Sequence, residues 1–324
     1  MLSLGRVNRF ASLAILPLMA LAIAFAWRVR VDDADLLRPR EGLLVVANLR
    51  AESLSFVDLS AEQPAVRTLS VPGPPHELAT LNQRLYVTLG RGDRLLEVDP
   101  RAPGLLRERR YDGANPHGLF AEPGRILVTL DAHGAIEQLN PHSLNLERAW
   151  PTGNTPHAVV AAGDELYITD SRDGKLRSLT GSTLIVDTSA LPESVAIVGD
   201  LVVTADADGR ALSVFRRVTL EPVARIPLEG SPVRVIPLDE ARVLVALVDT
   251  SEVALVNLHG GQIERRIPVS DRPDGLCLSP SGDYLAVVSN AGNRVDLFHA
   301  SDWKQAGSIV TPRGPGACLW LGSP

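Results

Sequence analysis

Cysteine is scarce in these 324 residues: only Cys277 and Cys318 are present. Two thiols exclude a disulfide framework, so stability must come from packing even in an oxidising compartment. A basic surplus is missing as well. With 32 Lys and Arg against 38 Asp and Glu, the formal net charge is −6, which argues against nucleic acid as a partner. Beyond residue 40 no stretch sustains an apolar period of 3.6 residues, and the apolar runs are short and rich in Val, Leu and Ile. The body therefore reads as all-β. Catalytic signatures are absent too: there is no G-x-S-x-G elbow, H-E-x-x-H pair, P-loop or dinucleotide fingerprint. Without C-x-x-C-H, any haem or other redox cofactor would have to come from elsewhere. The acidic loops "DTSE" (249–252), "SRDG" (171–174) and "DADG" (206–209) lack the spaced carboxylates of a calcium loop and read as hairpin turns.

One long hydrophobic run is present. Arg6 and Arg9 precede an uncharged stretch at 10–27, after which "RVRVDDADLLRPRE" returns to charge. Residues 1–31 read as an export or anchoring segment, with 32–40 as a linker. Ala24 and Ala26 supply an A-x-A cleavage pattern, while the run is also just long enough to span a bilayer, so cleaved and anchored forms both stay open. Either form places the body outside the cytoplasmic membrane, in the periplasm or tethered to the membrane.

The rest of the chain is a repeat. Twenty-six Gly and 24 Pro are dispersed among the apolar runs. Prolines opening a recurrent unit fall at Pro75, Pro116, Pro156, Pro192, Pro232, Pro273 and Pro315, at spacings of 41, 40, 36, 40, 41 and 42. Each unit carries a short strand, a turn, a stronger strand, a turn rich in Gly, Asn or Asp, a third strand and an Arg- or Pro-rich fourth. A period near 40 with four strands is a propeller blade. "GLLVVANL" (42–49), "LSFVDL" (54–59) and "VRTLSV" (66–71) lack a first strand, and "GPGACLWLG" (314–322) is a first strand without successors. The C-terminus is thus expected to complete the first blade. This gives a seven-bladed, closed and monomeric ring over 41–324. Blade 1 takes 41–71 plus 312–324, and the others span about 72–112, 113–152, 153–190, 191–228, 229–270 and 271–311.

"LYVTLGRGDRLLEVD" (85–99), "LYITDSRDGKL" (166–176), "LVVTADADGRALSVF" (201–215), "LLVVANLRAESLSFVDL" (43–59) and "LAVVSNAGNRVDLFHA" (285–300) resemble the YVTN-repeat seven-bladed β-propellers, mostly bacterial and often exported. That resemblance implies the fold; function does not follow from it, because one scaffold carries unrelated activities. Related propellers include seven-bladed lactonases and virginiamycin B lyase, which use polar groups around the channel, the lyase with a histidine and a divalent metal. No active-site residue can be carried over from either.

By analogy with propellers the first strand of each blade lies innermost, so the residue after each opening proline is expected at the channel mouth. In ring order these residues are His76, His117, His157, Glu193, Val233, Asp274 and Gly316, with Arg234 beside Val233 as an anion-binding candidate. His76, His117 and His157 are candidate ligands for a divalent metal. Turn formation and channel lining account for the same positions without any cofactor. Cys277 and Cys318, 41 residues apart in successive first strands, are a candidate bridge at the ring closure or two buried thiols. The reading that follows is a non-catalytic binding scaffold for a protein or small molecule. A metal-dependent hydrolase or lyase at the channel mouth, or a partner subunit of a periplasmic redox system, are the alternatives.

Overall fold

The computed structural model describes residues 27–28, 41–179 and 181–322. The segment 1–31 lies outside the described residues except for Trp27 and Arg28, as does the whole linker 32–40. Seven antiparallel sheets form, one per repeat, six of them with four strands in chain order from the channel outwards. Blade 2 is typical: Pro75–Leu81, Arg84–Leu89, Arg94–Asp99 and Gly104–Arg110. Blades 3 to 7 cover 116–151, 156–187, 192–227, 232–268 and 273–310. In blade 1, Leu43–Asn48, Ser53–Asp58 and Ala65–Ser70 are completed by the C-terminal strand Pro315–Leu321, which pairs with Leu43–Asn48 through Leu43↔Leu321 to Asn48↔Pro315. The shared blade expected from the sequence is the one observed.

Middle strands carry the core. Leu44, Val45, Val46 and Ala47 are all fully buried, as are Val243 to Leu247. A strand covered by neighbouring blades on both faces has no solvent side, so it reads as a continuous apolar run rather than an alternating one. The layers between blades are built this way, for example Val203, Val214, Val245 and Ala254 between blades 5 and 6. Fourth strands face outwards and are the more exposed, several of them with apolar residues such as Leu146, Ile185 and Val310 in the open, whereas the charged side chains of the strand Gly104–Arg110 suit an unpaired sheet edge. On blade 1 that edge accepts Trp27–Arg28, paired with Val66 and Ala65, as a fifth strand.

The turns between second and third strands depart from expectation in one respect. The left-handed position falls immediately before the third strand and is held by Glu52, Arg210 and Ser251 as well as by Asn293 and Gly134. Gly209 is therefore not required for φ; a Cβ there would lie 2.6 Å from Ser189.

Candidate functional site

Every first strand begins with a register irregularity. In blade 2 Pro75 pairs with Leu89 but Leu78 with Val87, and equivalent shifts occur after Pro156, Pro192, Pro232 and Pro273. A bulge of this kind re-aims side chains. In blades 2 to 4 it also strips a backbone N–H of its ladder partner, and a threonine of the second strand replaces that partner. Thr88 Oγ1 accepts from Glu77 N at 3.1 Å and donates to the His117 carbonyl at 2.7 Å. Thr129 does the same between Gly118 N and the His157 carbonyl, at 2.7 and 2.9 Å. Each hydroxyl ties one blade's bulge to the histidine of the next.

The result brings His76, His117 and His157 together as a stack. Ring centroids are 3.8 Å apart for the first pair and 4.0 Å for the second, with 6.5 Å between the outer rings. Neighbouring rings are tilted to each other by 46° and 42°, and the outer two stand at 89°; among the described residues no three His, Cys, Asp or Glu side chains are grouped so as to hold a metal. His157 is pinned at both nitrogens: Nδ1 lies 2.8 Å from the Glu193 carbonyl oxygen and Nε2 3.0 Å from the Glu193 carboxylate. Two acceptors require two ring protons, hence the imidazolium.

The opposite arc is ionic. Arg234 Nη2 donates to Glu77 Oε1 at 2.7 Å and lies 3.8 Å from Asp274 Oδ1. Blades 2 and 6 stand as far apart as two blades of a seven-membered ring can, so the Glu77–Arg234 pair is a bar across the channel. Val233 packs instead against an apolar layer that includes Leu244, Ala246 and Leu276, and Gly316 brings its backbone close to Asp274.

Titration follows from these contacts. Burial alone would raise the Glu77 carboxyl, but the charges and hydrogen bonds of Arg234 and His76 together outweigh it and hold the group far below the usual carboxylate range. Burial opposes the Arg234 charge, which Glu77 and Asp274 nevertheless hold above its ordinary value. Asp274 is raised by burial, which Arg234 and His76 offset only in part. Burial likewise disfavours a charged His157, yet the Glu193 hydrogen bonds and charge raise it, while His157 in turn lowers Glu193. Burial, with His76 and His157 alongside, pushes His117 well below the ordinary histidine value. The middle ring of the stack is neutral.

Glu77 was not legible as a site residue when only the position after each proline was considered. The signal lies one residue further on. Two positions after the prolines stand Glu77, Gly118, Ala158, Ser194, Arg234, Gly275 and Ala317: five small residues and two large ones of opposite charge. All seven line a cavity of about 430 Å³ that runs along the first strands. Towards the far strand ends its walls are apolar, with Val159, Ala161, Ile197 and Pro237. His76, His117, Glu193 and Asp274 do not line it.

Cys277 and Cys318 form a disulfide with a Cα separation of 5.9 Å. The bridge joins the first strand of blade 7 to the C-terminal strand. It does not cross the joint where the ring closes, which is the hydrogen-bonded pairing of Pro315–Leu321 with Leu43–Asn48 inside blade 1; the clamp expected at the closure sits one strand away from it. Disulfides form and persist in oxidising compartments outside the cytoplasm, and this bridge points to such a setting.

No family model and no curated protein matches the chain. Solved structures do match. A functionally unknown protein from Desulfotomaculum acetoxidans superposes with a TM-score of 0.73 at 12% identity, over 87% of this chain and all of the other. Apo AztD from Citrobacter koseri gives 0.66 at 12% identity over 88% and 99%. Virginiamycin B lyase from Staphylococcus aureus gives 0.63 at 11% identity over 71% and 82%. At these identities the likeness is one of fold, and the chain is accordingly a seven-bladed β-propeller without a family assignment.

Proposed function

We propose that this chain is a non-catalytic propeller of the cell envelope, of the YVTN-repeat kind, that binds a protein or small molecule at the polar end of its channel and through the loops around it. The N-terminal segment would export it or hold it at the membrane, and the disulfide agrees with that location. The observation that carries the reading is the mutual pairing of the charged channel residues: Glu77 with Arg234 and His157 with Glu193. A general base or nucleophile needs a free nitrogen or an activated oxygen within reach of substrate. His157 has neither nitrogen free, Nδ1 of His76 and of His117 lacks a hydrogen-bond partner among the described residues but is buried, and the paired groups make a rigid, shaped surface instead. Recognition then falls to the loops that precede the first strands, which vary without disturbing the packed sheets.

Photo-crosslinking tests this in cells producing the full chain. Benzoylphenylalanine at Asp112 or Asn154, in loops before first strands, is expected to trap a discrete adduct that is absent when the probe replaces Val218 on the opposite face. Equal adducts at all three positions, or none at the first two, would reject the channel end as the recognition surface.

A further inference from the structure

The cavity inside the bar has a chemistry of its own. Arg234 carries five N–H donors, and one of them, on Nη2, is within hydrogen-bond distance of Glu77. Its Nε is buried without a hydrogen-bond partner among the described residues, a fifth of the side chain is exposed, and Arg234 lines the cavity. The ionisable side chains that face this space are Arg234, His157 and Glu77. His157 is paired with Glu193 and Arg234 with Glu77, so what this space offers an anion is the remaining guanidinium donors of Arg234 rather than a net charge. The remaining walls are aliphatic: Val195, Val235, Ile236 and Leu276 alongside the residues already named. A space of about 430 Å³ falls in the range of small-molecule sites, about 300–1,000 Å³, which are mostly apolar with a few converging polar groups.

We propose that this cavity binds a small monocarboxylate with an aliphatic body, its carboxylate on the cavity-facing edge of the Arg234 guanidinium and its chain along the first strands. Geometry selects the head group. A guanidinium already engaged by one carboxylate on one edge presents its other donors as a planar fork, which matches a second carboxylate and not an ammonium. The apolar walls select the body, since burying methylenes there is favourable. The site stands apart from the channel end proposed above and does not rest on it.

Octanoate is the probe, with octanol and octylamine as neutral and cationic counterparts. Calorimetric titration of the full chain in lipid nanodiscs, with empty nanodiscs subtracted, is expected to show octanoate binding at least tenfold tighter than either counterpart. Ala158→Leu, which fills the cavity beside the bar, should abolish this binding. Arg234→Lys keeps the charge opposite Glu77 but removes the fork, and should weaken octanoate at least fivefold while thermal unfolding stays cooperative. If Ala158→Leu misfolds, Arg234→Lys and the three probes still decide. Equal affinity for octanoate and octanol, no binding of octanoate, or an Arg234→Lys affinity matching the parent would overturn the proposal. None of these outcomes depends on the crosslinking result at the mouth.

Discussion

Blades 2 to 4 and blades 5 to 7 start their inner strands with the same bulge, yet the two arcs put opposite chemistry on it. The first arc presents three imidazoles in a stack with a neutral ring at its centre. The second presents Glu193, Arg234 and Asp274. Each arc is incomplete alone: Glu77 of the first finds its cation in blade 6, and Glu193 of the second finds its cation in blade 4. The same local backbone therefore does not dictate the same role. What a side chain does at the channel depends on the residue across it, and the two arcs neutralise each other. Even the supporting threonines differ. Thr88 and Thr129 reach forward to the next histidine carbonyl, whereas Thr204 of blade 5 turns onto Asp206 of its own strand.

The sharpest way to break this complementarity is Arg234→Met. Glu77, with only 16% of its side chain exposed, would be left without a cation, at a cost of about 3–5 kcal/mol in chemical denaturation. Adding Glu77→Gln should recover most of that loss; a double variant as unstable as the single one would mean that the bar matters through packing alone. Thr88→Val comes next. It orphans Glu77 N–H and the His117 carbonyl together for about 1–2 kcal/mol and should shift the His117 ring resonances, whereas Thr204→Val should leave those resonances in place. Unmoved resonances in Thr88→Val would dissociate the threonine from the stack.

The smallest effect is a pH slope, and it has opposite signs within one arc. His157 is raised in the folded state, so its contribution is complete below the ordinary histidine value of 6.5 and is lost as pH rises through the folded value. His117 is depressed, so its contribution is complete above 6.5 and is lost as pH falls towards its folded value. Glu193, held low, adds a loss only as pH drops below the ordinary 4.5. Denaturation midpoints between pH 5 and 9 should show His157→Gln flattening the alkaline decline and His117→Gln flattening the acid one. Parallel curves for the two variants would contradict the protonation states assigned here.

The fold was legible because its signal is periodic: seven prolines, seven unequal copies of one cadence, and a missing strand at one terminus matched by a spare at the other. The site was legible only in part. His76, His117, His157, Glu193 and Asp274 follow their prolines directly and could be read off as a ring, but which of them stack and which pair is set by distances across the channel that no spacing along the chain encodes. Glu77 stayed hidden because the bulge brings a second ring of positions to the channel. That ring becomes visible only when seven residues are read together and two prove too large. The disulfide was one of two readings for Cys277 and Cys318, since a Cα separation cannot be had from a sequence interval.

The position of that disulfide bears on how the ring assembles. The closing pairs, Leu43 with Leu321 onward, unite segments from opposite ends of the polypeptide, the most entropically costly contacts in the molecule. With Cys318 bonded to blade 7, the last strand is tethered beside that blade, and the entropy still to be lost at closure is smaller than in a reduced chain. The bridge thus eases the joint without crossing it.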